Sequence, residues 1–198
     1  MDKSGPERRV GILGGTFDPV HIGHLILAQL MRDELDLGEV RFMPTFLPPH
    51  KHRPDILPSE LRCEMLELAL TGCPYFLLSR IEVDRQGVSY SIQTIRRLRR
   101  DEPDHEFYFL IGSDALPELA MWKQIDELRQ LCRFAALRRP GADDGPWPVG
   151  MIGVTGPAID ISSSVIREYV RQGRSIRYLV PESVRLFIER QGLYKSAT

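Results

Sequence analysis

Apolar runs of strand length alternate with segments of helical periodicity along nearly the whole chain, and this alternation narrows the folds open to it more than any other feature. Residues 9–13 (RVGIL) form a short apolar run closed by Gly14-Gly15, the pattern of a buried strand entering a tight turn. Over 24–35 the apolar residues Leu25, Ile26, Ala28, Leu30, Met31 and Leu35 recur at helical spacing, with Gln29, Arg32, Asp33 and Glu34 on the other side. The order then repeats. EVRFMP reads as a strand, 59–70 as a helix capped by Ser59, FLLSRIEV as a strand and SIQTIRRLRR as a helix. EFYFLIG is a strand, IDELRQL a helix, and CRFAALRR and VGMIGVT two more strands. Strands separated by helices pair in parallel and need cover on both sides, so the expected fold is α/β: a doubly wound, mostly parallel sheet with helices on both faces.

A chain of 198 residues fits one such domain, spanning 1–198. Its 42% hydrophobic and 27% charged residues exclude disordered and fibrous classes. The net charge of -1 provides no overall field to attract polyanions, so nucleic acid is not an expected partner and any phosphate must be held by a local site. The first nine residues are charged and polar where a secretory signal needs an apolar core, and no apolar run is long enough to span a bilayer; no membrane partner and a cytoplasmic location are expected. Cys63, Cys73 and Cys132 are scattered, the pattern of buried thiols rather than a disulfide framework or zinc site. The composition leaves a homodimer open.

Two segments break the rhythm. Residues 138–150 read as a Pro/Gly-rich connector, whereas 46–59 (FLPPHKHRPDILPS) crowd prolines and basic groups into a loop suited to closing on a phosphate. A merely exposed loop would share much of that composition.

The chemistry concentrates in two places. GGTFDPVHIGH, 14–24, occupies the first strand-to-helix turn, which in an open α/β sheet borders the ligand crevice. Gly14 and Gly15 let backbone approach a ligand, and the following helix presents unpaired N–H groups and a partial positive charge. His21 and His24 stand three apart, so one helical turn sets their imidazoles side by side, able to grip a polyphosphate. The stretch has neither the GxxxxGK[ST] of a Walker loop nor the GxGxxG of a dinucleotide fingerprint, and no third ligand accompanies the histidines at a metal-site spacing. The second place is 159–173 (IDISSSVIREYVRQG). There Ser162, Ser163 and Ser164 open a helix with Arg167 one turn inside it, a second anion site. Either alone is common; together they predict two helix ends meeting across a triphosphate.

GGTFDPVHIGH with ISSSVIR resembles the nucleotidyltransferase superfamily that carries HxGH and ISSTxxR motifs. Class I aminoacyl-tRNA synthetases share HIGH, but the chain has no KMSKS-type loop and no room for a tRNA-binding domain. Within the superfamily the sequence is similar to the bacterial nicotinate-nucleotide adenylyltransferases over nearly its whole length. FLPPHK resembles their substrate-phosphate loop, GVSYSIQTI their SYTxxTL segment, FLIGSDALPELAMW their GxDxLxxLxxW segment, and SIRYLVPESVRLFIERQGLY their ending. Phosphopantetheine adenylyltransferases and cytidylyltransferases share the first motif without this succession.

The resemblance implies adenylyl transfer from ATP to nicotinate mononucleotide, giving deamido-NAD and pyrophosphate, with Mg²⁺ as cofactor. By position, His21, His24 and Arg167 would be catalytic, holding the ATP phosphates. Gly14, Gly15, Thr16, Phe17, Gly112, Ile161, Ser162, Ser163 and Ser164 would line the ATP site, which the helical segment 162–194 would complete; Asp114 would take ribose hydroxyls. His50 and Lys51 would hold the mononucleotide phosphate, Trp122 would stack on the pyridinium, and amides near Tyr90 and Ser91 would receive the nicotinate carboxylate. The chain departs from the family pattern at Ser164 and Ser91, each standing for threonine, and at Lys123, where some members have tyrosine. Nicotinamide mononucleotide and phosphopantetheine are the alternative acceptors, and a noncatalytic nucleotide-binding module is the alternative from another class.

Overall fold

The computed structural model describes residues 8–48, 55–138, 146–157 and 159–195. Six strands, β1 (Arg9–Gly15), β2 (Glu39–Pro44), β3 (Phe76–Leu78), β4 (Glu106–Gly112), β5 (Arg133–Arg138) and β6 (Met151–Thr155), form one sheet in the order β3-β2-β1-β4-β5-β6, with every pairing parallel. The helices are α1 (Ile22–Glu34), α2 (Ser59–Leu70), α3 (Ile81–Arg85), α4 (Ser91–Asp101), α5 (Ile125–Leu131), α6 (Ser163–Arg171) and α7 (Glu182–Gln191), with a 3-10 helix at Ser113–Met121. The doubly wound parallel sheet expected from the alternation is the fold observed.

Side chains on successive strand residues point to opposite faces, and here both faces are buried. On β1, Val10 and Ile12 enter one core with Phe107 and Phe109 of β4 and Ile92, Ile95 and Leu98 of α4, whereas Leu13 enters the other with Ala28 and Met31 of α1 and Met65 and Leu66 of α2. Two-sided burial explains why these strands are almost continuously apolar in sequence. It also fixes their register, because a one-residue slip would exchange the two cores.

Three elements differ from the sequence reading. FLLSRIEV is not one strand: β3 ends at Leu78, and residues 81–85 coil into α3, which buries the adjacent Glu82 and Val83 together. A strand would have sent those two side chains to opposite faces. Ser59 is the first residue of α2 rather than its cap, since Pro58 holds that place in an extended conformation (φ -49°, ψ 142°). Finally, SDALPELAM, to which the sequence reading assigns no element, folds as the 3-10 helix despite Pro117 in its middle. Among the described residues no helix is long and apolar enough to cross a membrane, and all three cysteines are free thiols, with Cys63 and Cys132 buried.

The strand order reverses between β1 and β4. Connections leave to opposite sides there, so the carboxyl ends of these two strands, Gly15 and Gly112, open a crevice between diverging loops, the place where α/β sheets of this order bind ligands.

Candidate active site

The β1–α1 turn is built around buried Phe17, whose φ of 50° puts a non-glycine residue in the left-handed region, followed by a cis Asp18-Pro19 bond. His21 caps α1 in an extended conformation, and its backbone N–H donates to Nδ1 of His24 at 3.2 Å. An Nδ1 that accepts leaves the proton of the neutral ring on Nε2, which makes that nitrogen a donor for an anion. The two imidazoles stack with centroids 3.7 Å apart, and Phe17 packs edge-on to His24 at 4.9 Å. Gly23 makes room for this arrangement: a Cβ there would lie 3.1 Å from Nδ1 of His21, closer than ordinary packing allows.

The second helix end docks on this turn. Ser162 caps α6, its hydroxyl accepting from the Val165 N–H at 3.3 Å. The Ser163 hydroxyl donates to the Pro19 carbonyl at 2.9 Å. Arg167, buried on α6, donates through Nη1 to the Asp18 carbonyl at 2.7 Å and through Nη2 to the Ser164 hydroxyl at 3.1 Å, with the Asp18 carboxylate 3.9 Å away. The two helix ends that the sequence predicts to meet are thus joined by hydrogen bonds across 149 residues of chain.

Across the crevice, Asp114 folds back over Gly112 so closely that any Cβ on Gly112 would overlap its carboxylate at 2.3 Å. Trp122 is half-buried and stands edge-on to Phe109 and Phe134, with centroids 5.3 and 6.2 Å away. Tyr90 precedes α4 in an extended conformation and Ser91 begins that helix. The ammonium of Lys123 lies 4.1 Å from the centre of the Tyr90 ring, a cation–π contact that ties the residue after Trp122 to the residue before Ser91.

These pieces enclose a cavity of about 550 Å³, within the ~300–1,000 Å³ typical of small-molecule sites. Gly14, Gly15, Thr16, Phe17, His21, His24, Gly112, Asp114, Ile161, Ser162, Ser163, Ser164 and Arg167 line it, and so do Tyr90, Ser91 and Trp122. His50 and Lys51 lie outside the described residues. The candidates named from sequence, His50 and Lys51 apart, therefore line one cavity.

Sequence reasoning missed the residues that brace the cavity. Arg62 of α2 is fully buried and gives its guanidinium to four backbone carbonyls: Leu57 at 3.0 Å, Thr16 and Thr45 at 2.7 Å each, and Phe46 at 3.3 Å. It clasps the β1–α1 turn, the end of β2 and the close of the 46–59 loop at once. Burial lowers its pKa, and Asp18 opposes that shift. Tyr194 donates to Asp18 Oδ1 at 2.8 Å, and burial together with that carboxylate raises its phenol pKa far above the ordinary value. Glu82 lines the cavity with its carboxyl buried. Asp18 and Tyr194 lie inside quoted motifs without a role there; Arg62 and Glu82 carry no local pattern by which to find them.

Among the described residues no group of three or more His, Cys, Asp or Glu side chains could hold a metal ion.

Comparison with known proteins places the chain in a family. Residues 12–169 match the cytidylyltransferase-like family. A protein of Geobacillus kaustophilus named "Probable nicotinate-nucleotide adenylyltransferase" is 50% identical over 191 residues, covering 96% of this chain and 88% of the relative. One of the same name from Lactiplantibacillus plantarum is 45% identical over 191 residues, covering 96% and 90%. The solved structure of Plasmodium falciparum nicotinic acid mononucleotide adenylyltransferase complexed with NaAD shares the fold, with a TM-score of 0.80 at 17% identity over 95% of this chain and 98% of that one.

Proposed function

The chain belongs to the cytidylyltransferase-like family and, within it, to the nicotinate-nucleotide adenylyltransferases, and from that premise we propose how its cavity works. It is an enzyme of NAD biosynthesis that transfers the adenylyl group of ATP to nicotinate mononucleotide, giving deamido-NAD and pyrophosphate. The observation that carries the proposed division of labour is the docking of α6 on the β1–α1 turn at the β1/β4 switch point.

ATP lies along that seam. His21, His24 and Arg167 hold its phosphates, with Ser162, Ser163 and Ser164 and the backbone of 14–17 around them. Gly112 and Ile161 flank the nucleoside, Asp114 takes its ribose hydroxyls, and the segment 162–194 completes this half of a single domain, 1–198. The mononucleotide enters from the β2 side. Its pyridinium stacks on Trp122, its carboxylate meets amides near Tyr90 and Ser91, and its phosphate is held by Lys51 and His50. An electron-rich indole face favours a cationic ring, which supports the Trp122 assignment.

The acceptor needs little activation. A phosphate monoester with a second pKa of about 6 is largely dianionic at neutral pH, so its oxygen attacks the α-phosphorus of ATP without a general base. What remains is to align two polyanions and offset the charge that develops on the transferring group and the departing pyrophosphate. Lys51 and Arg167 supply that cationic surround, and His21 and His24 donate ring N–H groups into it. Bound on phosphate oxygens, Mg²⁺ would supply further charge neutralisation. We propose a cytoplasmic enzyme acting on free nucleotides, with no nucleic-acid or membrane partner.

The test is pyrophosphate release from ATP and Mg²⁺, with nicotinate mononucleotide, nicotinamide mononucleotide and phosphopantetheine compared at equal concentration. Preference for nicotinate mononucleotide is expected. Preference for another acceptor would discard the Trp122, Tyr90 and Ser91 roles while keeping the phosphate chemistry; ATP binding without release from any acceptor would point to a noncatalytic module.

A further inference from the structure

Among the described residues Arg62 is the largest fully buried side chain, and it carries a charge. At 1% exposure its guanidinium has given up its hydration, a costly arrangement unless the donors find strong acceptors. Among the described residues it hydrogen-bonds backbone carbonyls alone: Nε donates to Leu57 at 3.0 Å, Nη1 to Thr16 at 2.7 Å, and Nη2 to Thr45 at 2.7 Å and Phe46 at 3.3 Å. An apolar side chain could fill the same space without that cost. What the guanidinium adds is a planar fork that fastens three separate segments at one point.

The fastened segments reach the cavity from different sides. Thr16 lies in the β1–α1 turn and, with Phe17, lines the cavity. In a planar trans peptide the carbonyl and the following N–H point opposite ways, so a Thr16 carbonyl held by Arg62 turns the Phe17 N–H away from the guanidinium. Thr45, which follows β2, also lines the cavity. Its carbonyl is held in the same manner, and the Phe46 N–H beyond it donates to the Ser89 hydroxyl at 2.9 Å. The Ser89 N–H donates in turn to the Leu47 carbonyl at 2.9 Å, and Ser89 leads directly into Tyr90 and Ser91. Along β1 and β2 the connection reaches the Thr45 N–H, which donates to the Gly15 carbonyl at 3.0 Å; Arg62 carries it one residue further on each side, from Thr16 to Phe46. Hydrogen bonds therefore run from the β1–α1 turn through Arg62, the 45–47 backbone and Ser89 to the start of α4.

We propose that Arg62 is a positioning residue for the transfer step, fixing the turn that holds the ATP phosphates at a set distance from the backbone that carries the acceptor contacts. The inference rests on the division of the cavity between ATP and nicotinate mononucleotide. Arg62 is not among the side chains that line the cavity, so it acts through the backbone it fastens. Without it each half should still bind its own nucleotide, but the attacking oxygen and the α-phosphorus would no longer be held in line, and a misplacement of about 1 Å can cost on the order of 10²-fold in rate.

The experiment is a single turnover with enzyme in excess over ATP labelled at its α-phosphate and with saturating nicotinate mononucleotide, for wild type, Arg62→Lys, Arg62→Met and Ser89→Ala. The dissociation constant of each nucleotide alone and the unfolding midpoint are measured for each protein. While active enzyme stays in excess, the rate constant does not depend on the fraction folded, so a residue that merely stabilised the fold would lower the midpoint and leave that constant unchanged. Both Arg62 variants should lose about 10²-fold in the rate constant, with the binding of each nucleotide alone little altered. Lysine keeps the charge but should not rescue the rate, because one ammonium cannot reach carbonyls on three segments. Ser89→Ala breaks the chain one link further on without touching the buried charge; it should lower the same constant several-fold, and it decides the matter if the Arg62 variants do not fold. A wild-type rate constant in Arg62→Lys, or in Ser89→Ala where the Arg62 variants do not fold, would overturn the proposal, and so would a loss confined to the binding of one nucleotide. Transfer by the wild type only to a different acceptor would refute the assigned substrate, and the same comparison on that acceptor would still decide the role of Arg62.

Discussion

Two stacked imidazoles at the N-terminus of α1 are the smallest unit on which the proposed chemistry depends. Replacing His24 by alanine removes an anion donor from a partly exposed ring; kcat should fall by about 10²-fold or more while near-UV circular dichroism stays that of wild type. Wild-type turnover would remove the histidine pair from the mechanism. Gly23→Ala separates stability from function. Alanine favours helix by up to ~1 kcal/mol over glycine, yet its Cβ presses on the His21 ring, so the variant should unfold no earlier than wild type and turn over several-fold more slowly. Glu82 gives a pH prediction. Burial raises its pKa above 4.5, and Thr94, Ser89 and the facing Arg85 charge oppose that shift. The folded chain then binds this proton more tightly than the unfolded one, so the group's contribution to stability is full below about pH 4.3 and declines as pH rises through the folded pKa. Thermal midpoints from pH 4 to 8 should decline less, or rise more, in Glu82→Gln than in wild type, and identical profiles would contradict the shift. His21, His24, Ser162–Ser164 and Arg167 were legible because a helix start writes its anion-binding residues within one turn of sequence. Arg62 is not, since its partner Thr16 lies 46 residues away and nothing local marks it, and Tyr194, although inside the quoted ending, gives no sign of a partner 176 residues away.

At the scale of elements, the site is a joint between α6 and the β1–α1 turn, held by Ser163, Arg167 and Tyr194. Tyr194→Phe deletes the hydroxyl that reaches Asp18 and should cost about 1–3 kcal/mol in chemical denaturation, the range for a buried acceptor left without its donor. It should also raise the KM for ATP through the loosened turn; unchanged stability and KM would show that the C-terminal segment is not part of the joint. The strands were readable because both faces of the sheet are buried, and EVRFMP and EFYFLIG match β2 and β4 residue for residue. The failures have physical causes. Ile81–Arg85 is too short to display a helical period, and Ser113–Met121 winds with three residues per turn around Pro117, a periodicity that a 3.6-residue search does not detect.

For the molecule as a whole, the reversal of strand order between β1 and β4 opens the cavity at one edge of a doubly covered sheet. How firmly that sheet is closed is measurable at the thiols. Cys132 is buried and pushed up to about 12, and Cys63 is buried and shifted in the same direction, whereas Cys73 is only partly covered. Alkylation at pH 8 should modify Cys73 first and reach Cys63 and Cys132 only as fast as the chain unfolds; early modification of Cys132 would show that the α5 side of the sheet opens locally. The central claim is that the cavity brings two nucleotides together for direct transfer, and the most direct measurement is a single turnover with ATP labelled at its α-phosphate in the presence of nicotinate mononucleotide. The label should pass into deamido-NAD at the rate pyrophosphate appears, with none on the protein at any time. Label on the protein before the dinucleotide forms, or released as AMP with no dinucleotide, would contradict it.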